Sequence, residues 1–137
     1  MTARKIVKAF IERINAQDVD GLYELMTEDH AFVDALAYSV VGREAMRKGW
    51  QGYFAMVPDY WIEPEQMLSR GEVVAIFGRS GGTYTRDGQL KPENRWETPA
   101  AWLAVAREGK VAEWRVYADN EPIRQIMARE CKDKGTT

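Results

Sequence analysis

The chain reads as an α+β domain, with helices first and an antiparallel sheet after them. Up to Pro58 the apolar residues recur mainly at helical 3/4 spacing, interrupted by one short apolar run, Ala31-Phe32-Val33. From Tyr60 onward the period changes to two. A chain ordered this way packs its helices on one face of a sheet made from sequential strands. A further observation concerns the interior: five tryptophans and six tyrosines among 137 residues point to a core or cavity walled by rings.

Thr2 caps a first helix whose apolar stripe is Ile6, Val7, Phe10, Ile11 and Ile14, and which ends near Ala16. Asp18 caps a short second helix before Val19, with Leu22, Leu25 and Met26 on its apolar side. Thr27-Glu28-Asp29 is polar punctuation, and the apolar run that follows closes on Asp34. An acidic residue ending an apolar strand is expected to point into, or sit at the rim of, whatever the fold encloses. Residues 35–42 form a loop, or a strand end with a turn, closing on Gly42. A third helix runs from Arg43 to Met56, carries Met46, Trp50, Tyr53 and Phe54, and is stopped by Pro58.

Residues 60–69 form a strand in which Pro64 marks an edge or a bulge. A turn at Arg70-Gly71-Glu72 leads into a long strand from Val73 to Tyr84, loosened by Gly78, Gly81 and Gly82 and so suited to strong bending. A polar connection reaches Asn94, and strands 95–107 and 110–118 are joined by a tight turn at Glu108-Gly109. Glu121-Pro122 opens a short terminal helix with Ile123, Ile126 and Met127, and residues 128–137 are expected to fray. The length suits a single domain over 1–137 with its core at about 3–127.

Composition narrows the function classes. A net charge of -2, with both signs interspersed, provides no basic stripe for nucleic acid. No run approaches the roughly 20 apolar residues of a membrane helix. The single cysteine, Cys131, has neither a disulfide partner nor metal-ligand companions. A cytoplasmic protein without cofactor or metal is expected.

The order of elements, together with INAQDVDGLYELMTEDHAFVDA (14–35), VGREAMRKGW (41–50) and GKVAEWRVYAD (109–119), resembles the NTF2-like superfamily. Within it the chain is most similar to the SnoaL-like and ketosteroid-isomerase-like branch, over roughly residues 3–127. The resemblance implies a cone-shaped, cystatin-like fold: three N-terminal helices on a strongly curved, mostly antiparallel sheet, with a pocket between. It also implies a homodimer through the outer sheet face.

Residue by residue, the isomerase pattern half fails. Its general base falls on Asp34. Its helix-one tyrosine falls on Phe10, which has no hydroxyl, and its protonated aspartate on Ala101. Losing one such donor costs on the order of 10²–10³ in rate, so steroid isomerase activity is not expected. The epoxide-hydrolase pattern matches Arg79 but has Gly81 where a carboxylate should stand, and Val116 follows Trp114-Arg115 where that pattern places its second aspartate. The polyketide-cyclase branch uses an acid/base aspartate helped by histidines, for which His30 and Asp119 are the candidates here.

The expected site therefore has Asp34 as acid/base group among Phe10, Phe32 and Trp50, or else as a cap for the loop after it. His30 is the second catalytic candidate, against a structural role at a strand junction. Arg79 binds an anionic or carbonyl oxygen, or forms an ion pair with Asp34 or Glu97. Trp50, Tyr53 and Phe10 line the pocket. Glu97 is a second pocket carboxylate if it shares the pocket side with Pro99, Ala101 and Leu103, which turns Trp96 and Trp102 outward as interface residues. On the last strand Trp114, Val116 and Ala118 face inward, opposite Arg115 and Tyr117. The expected function is a SnoaL-like acid/base enzyme of isomerase, cyclase or hydrolase type, acting on an apolar or aromatic polyketide-like ligand. The alternative is a non-catalytic ligand-binding or dimerisation module of the same fold.

Overall fold

The computed structural model describes residues 2–135, with side chains through Cys131. Its elements are α1 (Ala3–Asn15), α2 (Val19–Glu24), β1 (Met26–Val33), β2 (Ser39–Val41), α3 (Arg43–Met56), β3 (Trp61–Arg70), β4 (Val73–Thr83), β5 (Arg95–Arg107), β6 (Lys110–Ala118) and α4 (Glu121–Gly135). The caps are those the sequence predicts. Thr2 accepts the N–H of Lys5, and the Asp18 carboxylate accepts that of Gly21 at 2.9 Å. The β5–β6 turn places Glu108 and Gly109 at φ of 55° and 77°, the left-handed pair of a two-residue hairpin.

Three elements differ from the sequence reading. Met26 opens β1 instead of closing α2, so the polar triplet Thr27–Asp29 lies inside a strand. The Val111 N–H bonds the Leu25 carbonyl at 2.7 Å, and this pairing draws the chain into the sheet one turn early. Residues 39–41 form a short edge strand. The terminal helix is long, so residues 128–135 are helical instead of frayed; Arg129 bonds the Glu93 carbonyl and Asn94, and Asn94 bonds Glu130. Residues 136–137 lie outside the described residues.

The six strands form one curved open sheet in the order β2-β1-β6-β5-β4-β3, antiparallel except where β1 runs parallel to β6. Four helices accompany it. α1 lies across the concave face, where Phe10, Ile14, Ile76, Trp102, Val111 and Trp114 build the main core. The Phe10 and Trp114 ring centres are 5.0 Å apart, and Trp114 stacks on Trp102 at 6.3 Å. A smaller cluster beneath α4 joins Ile123 and Ile126 to Val57, Tyr84 and Trp96.

Pro64 sits on β3, an edge strand, and the ladder to β4 slips between Pro64 and Gln66, as a bulge at proline requires. Gly78 lies opposite. A Cβ there would meet the Glu63 carbonyl oxygen at 2.0 Å, so the close strand approach at the bend needs glycine.

Strand phase decides which side chains meet a ligand. On β4 and β5 the buried residues include Ile76, Ser80, Trp96, Thr98 and Trp102, whereas Arg79 and Glu97 are exposed. The sequence reading had placed Arg79, Glu97, Pro99, Ala101 and Leu103 on the pocket side. That phase is one residue out on both strands, and such a slip exchanges the faces completely. Trp96 and Trp102 are therefore interior groups, 8% and 2% exposed, and not interface residues. On β6 the expected phase holds: Trp114 is buried, Val116 and Ala118 turn inward and Tyr117 is exposed.

Candidate active site

A cavity of about 260 Å³ opens between α3, the concave sheet face and the start of α4. β1 contributes Phe32, the turn just after it Asp34, and α3 contributes Met46, Trp50 and Tyr53. Tyr60, Ser80, Trp96 and Thr98 line the side beneath β4 and β5. Trp114, Val116 and Ala118 of β6 form the back, with Asn120 and Ile123 at the α4 side.

Asp34 caps the loop after it and also lines the cavity. The chain turns just after β1, with Ala37 at φ 70° donating its N–H to the Asp34 carbonyl at 3.0 Å. Within that turn the Asp34 Oδ1 accepts the N–H groups of Leu36 at 2.8 Å and Tyr38 at 3.0 Å. Oδ2 has no hydrogen-bond partner among the described residues, and the residue lines the cavity. The carboxylate thus caps its loop with one oxygen and keeps the other uncommitted.

The hydroxyl donors come from two tyrosines. Tyr53 and Tyr60 meet edge to face with ring centres 4.9 Å apart. Burial pushes the Tyr53 phenol well above its ordinary value, and the neighbouring Tyr60 adds a smaller rise. Burial pushes Tyr60 up to about 12, against a weaker opposite pull from the Ser80 hydroxyl. Both phenols stay protonated across the physiological range. Trp50 sits between Tyr53, Phe32 and Phe54, and its indole N–H is buried without a hydrogen-bond partner among the described residues. Ser80 and Thr98 stand opposite each other across the β4–β5 ladder.

Of the residues predicted for the site, Asp34, Trp50 and Tyr53 share this cavity. Four do not line it. Arg79 and Glu97 pair with each other on the convex face, a consequence of the strand phase. Phe10 is fully buried between α1 and Trp114 and serves packing. His30 shares the inward face of β1 with Phe32 and Asp34 but sits deeper, 0% exposed, with Nδ1 2.7 Å from the Val111 carbonyl oxygen. Ala101, aligned with an isomerase donor, lies on the convex face opposite Phe77. Tyr60, Ser80, Trp96, Thr98 and Asn120 were missed. For Trp96 and Thr98 the signal was present as alternation but read in the wrong phase. Tyr60 was read as the first residue of the strand over 60–69 with no face assigned to it, but it lies in the connection just before β3.

The sequence model of the SnoaL-like domain matches residues 7–114. The chain belongs to the SnoaL-like family. No protein of curated function matches its sequence. Among solved structures, this SnoaL-like domain is similar to a candidate SnoaL-like polyketide cyclase from Shewanella denitrificans, at 13% identity and a TM-score of 0.79 over 93% of this chain and 97% of that one. It is similar also to a candidate polyketide cyclase from Streptomyces antibioticus, at 19% identity and a TM-score of 0.76 over 93% and 99%. A third similar structure is a ketosteroid-isomerase-like protein from Catenulispora acidiphila in complex with trimethylamine, at 21% identity and a TM-score of 0.76 over 90% and 91%. These likenesses establish the NTF2-like, cystatin-like fold. Among the described residues no helix is long and apolar enough to cross a membrane, and no group of three or more His, Cys, Asp or Glu is placed to hold a metal.

Proposed function

We propose that this SnoaL-like domain is a cofactor-independent acid/base enzyme acting on a small, largely apolar carbonyl compound of polyketide type. The observation that supports it most is that the Asp34 carboxylate opens on the same cavity as the neutral phenols of Tyr53 and Tyr60. In this reading Asp34 takes a proton from the carbon beside a ketone. The C–H electron pair moves through the enolate to oxygen, where the Tyr53 or Tyr60 hydroxyl donates a hydrogen bond to the developing charge. Asp34 then returns the proton at another position, or the enolate carbon attacks a second carbonyl and closes a ring, the carbonyl's π pair moving to its oxygen, which takes the proton from Asp34. The two tyrosines take over the donor role that Phe10 and Ala101 cannot fill. The unpartnered Trp50 N–H adds a further donor, because a buried unsatisfied N–H costs about 1–3 kcal/mol and a ligand oxygen offsets it. The aromatic lining fits an apolar ring system.

The test follows deuterium uptake at the acidic C–H of 2-tetralone in D₂O by NMR. The expected result is catalysed exchange that Asp34→Asn abolishes and that Tyr60→Phe or Tyr53→Phe slows by about 10²–10³-fold, the usual cost of losing one oxyanion donor. Exchange at the wild-type rate in Asp34→Asn overturns the proposal.

The same proposal includes a homodimer through the convex face. Phe77, Ala101 and Tyr117 form one cross-strand row there, with Ala75 and Leu103 in the next. Phe77 is 46% and Tyr117 54% exposed. A two-fold axis over such a stripe brings it against its own copy. The Arg79–Glu97 and Glu113–Arg115 pairs would flank it.

A further inference from the structure

We infer that the cavity also binds organic cations, seating an alkylammonium group among the rings of Trp50, Tyr53 and Tyr60 against the carboxylate of Asp34. The inference depends on Asp34 and these rings sharing one cavity and not on proton transfer. Its first support is the charge of the lining. Among the described residues no lysine, arginine or histidine lines the cavity, and Asp34 is its only carboxylate. Anionic ligands therefore meet repulsion without a counter-charge, while a cation meets a carboxylate oxygen that no protein donor occupies.

The second support is ring geometry. Trp50 and Tyr53 stand at 86° with centres 6.4 Å apart, and Tyr53 and Tyr60 at 89° and 4.9 Å. Phe32 stands at 76° to Trp50, 6.2 Å away. Rings set at successive right angles can meet a compact, roughly tetrahedral group from more than one side. Ring faces attract cations through their quadrupole, and indole does so most strongly. The third support is size. A volume of about 260 Å³ lies just below the roughly 300–1,000 Å³ of pockets for drug-sized ligands, so a small ammonium compound fits.

The test compares choline with 3,3-dimethylbutan-1-ol, a neutral molecule of the same shape, by tryptophan fluorescence and ligand-observed NMR. The expected result is that choline binds at least about tenfold more tightly than the alcohol, in line with a desolvated cation–π contact plus a carboxylate. Asp34→Asn, whose amide oxygen still accepts from Leu36 and Tyr38, should remove that preference. Tyr53→Leu, which keeps the carboxylate, should weaken choline more than the alcohol, and it localises the site should Asp34→Asn misfold. Equal affinities, a preference for the alcohol, or no binding of choline by the wild type overturns the inference. A wild type that shows no preference for choline but still exchanges the 2-tetralone proton fails here alone. One that binds choline selectively without catalysing exchange fails only as an acid/base enzyme.

Discussion

Replacing His30 by glutamine removes the chain's single histidine from its core, and the consequence for pH-dependent stability can be worked from the structure. The imidazole is 0% exposed, with its centre 6.0 Å from that of Phe10. Its Nδ1 lies 2.7 Å from the Val111 carbonyl oxygen, so Nδ1 carries the hydrogen and Nε2 presents a lone pair. Nε2 is buried and has no partner among the described residues. Protonation would place a charge there with no acceptor for the new N–H. Burial accordingly lowers the His30 pKa, outweighing the upward pulls of the Val111 carbonyl and of Asp29 and Glu113.

The sign of the pH effect follows. An unfolded histidine takes up its proton near pH 6.5, the folded one only at lower pH. Between the two the unfolded chain binds more protons, so stability rises with pH. The contribution is fully present above about pH 6.5 and is lost as pH falls toward the folded pKa. Between pH 7.5 and 5.5 the loss is at most about 1.4 kcal/mol, the limit in which the folded imidazole stays neutral throughout. Urea unfolding at both pH values, on wild type and His30→Gln, isolates this loss, since carboxylate contributions are common to both proteins. The wild type should lose up to about 1.4 kcal/mol more than the variant. Equal losses, or a His30 NMR titration midpoint at or above 6.5, would refute the reasoning.

The corrected strand phase carries its own predictions. A double-mutant cycle on Arg79→Ala and Glu97→Ala should give a coupling of only about 0.2–1 kcal/mol, as for exposed ion pairs, with ligand affinity in the cavity unchanged. Trp102→Asp should unfold the domain, because truncating such a buried ring alone costs about 3–5 kcal/mol and the charge adds to it; circular dichroism reads the loss. Phe77→Asp, on the convex face, should leave the fold intact and lower the sedimentation coefficient if that face is the dimer contact. Gly78→Ala should destabilise by about 1–3 kcal/mol in thermal unfolding, since its Cβ would press on the backbone of Glu63.

Much of the fold was legible in the sequence because local physics repeats along it. The limits of α3, β5 and β6 match those read from periodicity and from the stops at Pro58 and Glu108-Gly109. The capping roles of Thr2 and Asp18 were equally readable, because a cap bonds its own first turn. What could not be read locally was β2, the early start of β1 and the extent of α4. The last two depend on partners distant in sequence: β1 pairs with β6, and α4 is tied to Asn94.

The candidate site divides along the same line. The Asn15–Asp34 segment, by ending a strand on a carboxylate in an NTF2-like order of elements, determined that Asp34 would stand at the cavity. Helical spacing on α3 determined that Trp50 and Tyr53 would accompany it. Alternation on β4 and β5 determined that Arg79 and Glu97 would avoid the face of Ser80, Trp96 and Thr98. Which of those faces turned inward was decided only by the tertiary structure. A period of two is unchanged when the faces are exchanged, and only the packing of α1 and α3 on one side of the sheet breaks that symmetry. The fold thereby left the expected arginine on the convex face and brought Tyr53 and Tyr60 into the cavity that Asp34 lines.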